Sequence, residues 1–344
     1  MPSNHPARVF SRRILIALAG ACGWRPASAS SDAAAPPPGE TWELPLAAGS
    51  FLRLVWIPPG SFSLGSPDAE PGRKPDEGPQ TRVTITRGFW LGETFVTIGD
   101  WTQVMGVGVR EQLIGRIRDD TLCDFGGEKM VLRDLMRWSR EADPAASLAN
   151  EDDALPIYFV SWNEAMEFAG RLNVRERAAG RLPPGYAYTL PTEAQWEYAC
   201  RAGTTTPTCG GGNAPATLER IAWYDRNSAE GYEDRRIGPT RSGPRIVKQK
   251  EPNAWGLCDM QGNIWQWCLD WYGPYAGGAV TDPIGPGAGT GRVKRGGSFG
   301  SGADSLRSAG RAGNPPAEAS AYRGIRLALS PARSSTAPAP SRSP

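Results

Sequence analysis

Two stretches decide how this chain folds. They are Asn253–Gly273, NAWGLCDMQGNIWQWCLDWYG, and Arg292–Leu329, RVKRGGSFGSGADSLRSAGRAGNPPAEASAYRGIRLAL. The first is rich in aromatic residues, the second in Gly and Arg, and both lack long apolar runs. That composition favours tight turns and short strands, with aromatic rings supplying much of the buried area. The bias extends over all 344 residues, which include 42 Gly, 32 Pro and 13 Trp. At 40% hydrophobic and 22% charged, the chain has the balance of a globular protein.

Residues 1–29 read as an export signal. Arg8, Arg12 and Arg13 precede the apolar run Ile14–Ala21, and Ala27-Ser28-Ala29 offers a small-x-small cleavage site. Ser11-Arg12-Arg13 resembles a twin-arginine signal, and Cys22 is the weaker alternative, a lipid anchor. The expected location is periplasmic or extracellular. The apolar run is too short to span a bilayer as a stable helix, so no transmembrane segment is expected in the mature chain. Removing the four arginines of the signal from 38 basic residues leaves 34 against 36 acidic ones. Such a balance has no nucleic-acid footprint. The single histidine, His5, leaves with the signal, which excludes His-based triads and metal sites.

Residues 30–40 form a Pro-rich linker, and 331–344 a disordered tail by composition. Between them, residues 41–330 are expected to make one domain. FLRLVWIPPGSFSLGS predicts a strand, a Pro-Gly turn and a second strand. TRVTITRGFWLGETFVT continues in that mode, with Val83 and Ile85 on one face. Thr97 is expected to cap a helix through Trp101, Val104 and Met105. Ser161–Glu164 and Thr192–Gln195 are capping boxes that start two further helices. The first carries Ala165, Phe168, Ala169 and Leu172 at helical spacing, and the second should stop near Gly203. Residues 107–154 read as an insertion over the scaffold, a candidate lid, with helical spacing at Met130, Leu132, Leu135 and Met136.

Successive blocks along residues 51–329 resemble the formylglycine-generating enzyme (sulfatase-modifying factor) family. They are WIPPGSFSLGS, the EGPQTRVTITRGFWLGETFVT stretch, PIYFVSWNEAMEFAGRLN, YTLPTEAQWEYACRAGT and the two stretches quoted first. Several long blocks in order are far more specific than any one. The resemblance implies an α+β, C-type-lectin-like, loop-rich fold with a shallow groove near the C-terminal blocks. Pyoverdine-maturation proteins and retroelement variable proteins resemble this chain in the same way. The small residues Gly300, Ser301, Gly302, Ser305, Gly310, Ala312 and Gly313 suggest positions that tolerate exchange, as in the variable proteins.

By the same resemblance a calcium site falls on the Asp259 side chain, the backbone carbonyls of Gly262 and Ile264, and the Gln266 side chain. Gln266 stands where the family has Glu; the alternative is that Asp259 and Gln266 only bond the turn backbone. The groove would be lined by Trp265, Ser298, Phe299, Ser301, Arg307, Arg311 and Asn314. Trp267 and Trp271 read as core. Arg307 and Arg311 have two readings: a guanidinium fork for a ligand carboxylate or carbonyl, or structural pairing with Asp304 or a backbone carbonyl. Related sequences often carry a cysteine pair at the positions of Cys200 and Cys268, a disulfide or a buried thiol contact. The family's first copper cysteine falls on Ser301, and the second among Asp304, Ser305 and Leu306. No cysteine follows Cys268. Ser and Leu cannot replace two soft thiolates, so no copper is expected.

Three functions remain open from the sequence. The first is a module binding a peptide, glycan or protein. The second is a copper-independent enzyme acting on a peptide-like substrate, with Asp259, Asp304, Glu318 or Tyr322 as acid–base groups. The third is an inactive partner of sulfatases or of a true family enzyme.

Overall fold

The computed structural model describes residues 36–47, 49–125, 128–136, 149–229 and 242–333. The expected export signal with Cys22, most of the expected linker and the residues beyond 333 lie outside them.

Alternation along Ser50–Ile57 (β2) sends Leu52, Leu54 and Trp56 to one face and Val55 and Ile57 to the other, and both sets are buried. Two separate apolar clusters receive them. A strand buried on both faces belongs in the middle of a sheet. β2 accordingly pairs with β1 (Thr41–Ala47) and β5 (Phe89–Gly92), and β14 (Ala328–Pro331) and β8 (Tyr186–Thr189) complete five strands in the order β1-β2-β5-β14-β8. The C-terminal strand thus lies inside a sheet begun by the first strands, which ties the two ends of the domain together.

The first face is covered by α1 (Ile98–Met105) and α4 (Trp162–Ala178). Thr97 caps α1, accepting from Asp100 N at 3.1 Å, and Ser161 caps α4, accepting from Glu164 N at 3.2 Å. Trp101 and Phe168 stack across the two helices with ring centroids 5.3 Å apart. Ala165, Phe168, Ala169 and Leu172 are buried, as their spacing predicts. The second face is covered by α5 (Glu193–Arg201), which starts at the Thr192 cap and ends with Ala202 in a left-handed conformation. The predicted strand–turn–strand near residue 58 exists, but its halves part company. β3 (Gly60–Leu64) joins β4 (Thr81–Ile85) and β10 (Ala279–Thr281) in a separate sheet of three.

The C-terminal blocks build a four-stranded sheet, β12 (Arg311–Asn314), β11 (Arg292–Arg295), β9 (Trp265–Trp271) and β13 (Arg323–Gly324), in that order. Trp267 is core, with Nε1 donating to the Val160 carbonyl at 2.9 Å. Trp271 is only half-buried; the Arg292 guanidinium lies 3.5 Å from its ring centroid and 3.8 Å from that of Trp162.

The insertion contains α2 (Val109–Arg118), a hairpin of β6 (Leu122–Phe125) and β7 (Glu128–Val131), and α3 (Leu132–Met136). The single helix suggested by Met130 to Met136 is therefore a strand followed by a short helix, because Glu128–Val131 pairs with β6. The described part of the insertion is bonded to the rest of the domain. Asp124 N donates to the Ala319 carbonyl at 3.1 Å, and Arg116 Nη2 to the Phe159 carbonyl at 2.9 Å. The first bond ties the hairpin, and the second α2, to the rest of the domain. Among the described residues no helix is long and apolar enough to cross a membrane.

Candidate functional site

β11 ends in a turn that only glycine can make. Gly296 and Gly297 have φ of +94° and +74°, and a Cβ on Gly296 would stand 2.7 Å from the Met260 carbonyl oxygen. The turn returns the chain over β9, where Phe299 N donates to the Asn263 carbonyl at 2.6 Å. Ser298 and Ser301 close the loop, with hydroxyl oxygens 3.0 Å apart and Ser298 N donating to Ser301 Oγ at 3.0 Å.

This loop forms one side of a cleft of about 530 Å³. Trp265 and Lys294 form its floor, Asn314 and Tyr322 another side, and Asp124 of the insertion the far wall. Four expected groove residues therefore converge here: Trp265, Ser298, Ser301 and Asn314. Of the four acid–base candidates only Tyr322 lines the cleft. Asp259 is buried in its turn, Asp304 is exposed, and Glu318 accepts from Asn314 Nδ2 at 2.9 Å. A larger cleft, about 680 Å³, lies beside β8 and β14 and contains none of the expected groove residues.

The other three expected groove residues are placed elsewhere. Phe299 is 1% exposed and stacks on Tyr322 from behind, centroids 4.6 Å apart. Its position after the turn points the ring into the core, so it supports Tyr322 instead of meeting a ligand. Arg307 is fully buried, donating from Nη1 to Glu70 Oε1 at 2.8 Å and to Glu77 Oε2 at 2.7 Å, and from Nη2 to the Gly72 carbonyl. Arg311 is a fork, but for Glu193, with Nε and Nη2 each 2.7 Å from a carboxylate oxygen. Both are structural, with partners far upstream in sequence and not the neighbouring Asp304.

Lys294 and Asp124 were not anticipated. Lys294 is half-buried, and its Nζ lies 4.9 Å from the centroid of the Trp265 ring. Burial above all, then the nearby Arg323 guanidinium, pushes its ammonium down to about 8. The Tyr322 hydroxyl is pushed up by burial and by Asp124, so it remains a donor at neutral pH.

The small residues of the loop divide. A Cβ on Gly302 would meet only Asp225 Oδ2, at 3.7 Å, so that position has room. On Gly310 and Gly313 it would stand 2.8 Å from the Ser305 carbonyl oxygen and 2.7 Å from Tyr272. Those two are required by packing and do not tolerate exchange.

The turn expected to hold calcium is also accounted for internally. Gln266 Oε1 accepts from Trp196 Nε1 and from Arg326 Nε, both at 2.8 Å. Its Nε2 donates to the carbonyls of Asp259 and Met260, both at 3.0 Å. All four of its hydrogen-bonding positions are used, which leaves no lone pair for a cation. Asp259 Oδ2 accepts from Lys248 N at 2.7 Å, and Gly262 N donates to the Gly296 carbonyl at 2.7 Å. Gln266 thus closes the turn, and its amide as arranged offers no free oxygen to a calcium ion. Cys200 and Cys268 are both buried and free, and Cys200 Sγ meets Ser308 Oγ at 3.7 Å.

The sulfatase-modifying factor enzyme 1-like domain matches residues 45–331. The chain belongs to that family. A formylglycine-generating enzyme of Streptomyces coelicolor is 31% identical over 327 residues, covering 88% of this chain and 95% of its own. The inactive C-alpha-formylglycine-generating enzyme 2 of Mus musculus is 27% identical over 308 residues, covering 81% and 86%. Among solved structures, Treponema denticola variable protein 1 and PvdO from Pseudomonas aeruginosa share the fold. Each has a TM-score of 0.61; identities are 24% and 23%, with 85% and 86% of this chain and 99% of each structure covered. In this sulfatase-modifying factor domain the cleft between β9, the turn after β11 and the insertion is thus built on a scaffold common to the family.

Proposed function

We propose that this protein is an exported member of the family that does not carry out copper-dependent thiol oxidation and uses the cleft to hold a peptide-like ligand. The observation that carries the reading is the wall from Ser298 to Ser305, where hydroxyls and glycines stand and no cysteine lines the cleft. Hard hydroxyl oxygens do not substitute for soft thiolates on copper(I), so these residues do not fit that ion. The remaining thiols support the same view. Burial above all pushes Cys123, Cys200 and Cys258 up to about 11, so their thiolates are scarce at neutral pH. A mouse relative with the word inactive in its name is a precedent for family members without the oxidase activity. The export reading rests on residues 1–29. An indole, a phenol, an amide and four serines around one cleft suit a ligand of mixed polarity, such as a peptide segment.

Incubating the purified protein with copper(I) and a cysteine-containing peptide is expected to give neither bound metal nor aldehyde, read by metal analysis and mass spectrometry. A peptide array is expected to show binding by the native protein and loss of that binding in Gly302→Trp, which fills the cleft from a position with room. Aldehyde formation would reject the reading, and so would an array on which the two proteins behave alike.

A further inference from the structure

We propose that the cleft receives a carboxylate of its ligand, held by the Lys294 ammonium with the Tyr322 hydroxyl as a second donor. The inference rests on the reading of the cleft as a ligand site and names the chemical class that the site selects.

Charge balance carries the first part of the argument. Asp124 pairs with Arg323, Oδ2 to Nη2 3.3 Å, and Glu318 pairs with Lys129 and lies 3.8 Å from Arg323 Nη1. Each carboxylate is thus engaged by another cation, and Lys294 forms an ion pair with neither. Among the described residues its ammonium makes no hydrogen bond and no ion pair; its only close partner is the face of Trp265. An ammonium held half out of water without an anion is a costly arrangement unless something supplies one. A neutral ligand would bury it further and leave it unpaired.

Geometry carries the second part. The Tyr322 ring is fixed by its stack on Phe299, and the hydroxyl has no partner among the described residues. Trp265, on β9, fixes the lysine from below through the cation–π contact. Ammonium, phenol and the Ser298–Ser301 hydroxyl pair then line one cleft, three kinds of donor suited to an anionic oxygen pair. The lowered Lys294 agrees with this, since an empty site disfavours the charge that a bound carboxylate would restore. The groups that act on it are two cations, Arg323 and Lys74, and two carboxylates, Asp124 and Glu318.

The chain has five lysines, so after reductive methylation with ¹³C the Lys294 signal can be assigned by its absence in Lys294→Met. N-acetylglycine and N-acetylglycinamide are the probes, titrated against the full mature protein. The acid is expected to shift the Lys294 signal saturably and to bind about ten-fold or more tightly than the amide. Acid affinity should fall as pH rises through about 8, where the ammonium is lost. Lys294→Met should erase the preference and Lys294→Arg should keep most of it, with circular dichroism confirming the fold of each. If acid and amide bind alike and Lys294→Met changes nothing, the carboxylate assignment fails while the cleft stands as a ligand site. If neither probe binds to native protein, both readings fall.

Discussion

Replacing Arg307 with methionine is expected to cost about 3–5 kcal/mol of folding stability at neutral pH. The side chain is fully buried and reaches Glu70, Glu77 and the Gly72 carbonyl, joining the loop after β3 to the segment after the Gly-Gly turn. Methionine fills much of the volume but leaves two carboxylates with no cation, and an uncompensated buried charge is the expensive outcome. The pH dependence identifies the cause. Burial pushes Glu77 up, but the Arg307 and Ser66 hydrogen bonds outweigh it and hold the carboxyl below its ordinary range. A depressed carboxylate contributes stability that is present above its unfolded pKa and is lost as pH falls through the folded one. Native protein should therefore lose stability in acid, below about pH 4. In Arg307→Met that loss should vanish, because protonation relieves an unpaired Glu77. Urea unfolding at neutral and acid pH reads both effects. A gap between the two proteins that stays constant with pH would mean that the arginine acts by packing alone.

Much of the scaffold was legible because its signals are local. A Thr or Ser followed three residues later by an acid or amide fixes a helix start whatever surrounds it, and Thr97, Ser161 and Thr192 all cap as read. The cleft was only half legible because orientation is not local. Phe299, Arg307 and Arg311 follow the Gly-Gly turn in sequence, yet nothing in their spacing tells which way each side chain faces. Glu77 and Glu193, the partners of the two arginines, lie in other blocks, and Tyr322 comes 23 residues after Phe299. Lys294 was hidden differently. In Arg292-Val293-Lys294-Arg295 a charged residue lies on each face of the strand, so the period-two pattern that separates inside from outside is blurred. Arg295 is the one that goes inside, where Glu197 meets it. Asp124 comes from an insertion with no motif, and the bonds of its backbone to Ala319 and Ser320 help bring it to the cleft.

Changing Gln266 to glutamate is expected to destabilise the protein by about 2–4 kcal/mol in the absence of divalent cations. The substitution restores the residue type that the family pattern has at this position and alters almost no volume. Its effect is electrostatic. The Nε2 of Gln266 donates to the carbonyls of Asp259 and Met260, so a glutamate would aim an anionic oxygen at two acceptors and break two buried hydrogen bonds. Arg326 and Trp196 would still donate to the other oxygen, which offsets part of the cost. The Asp259 carboxyl nearby is already pushed up by burial, a sign that the turn does not welcome further negative charge. A divalent cation with oxygen ligands is the partner such a cluster lacks, since carboxylate and carbonyl oxygens are what calcium binds. Added calcium should therefore raise the melting temperature of Gln266→Glu and leave the native protein unmoved. Equal responses to calcium would show that Gln266 does not decide the matter. A variant as stable as native protein without calcium would show that the turn can spare the amide bonds.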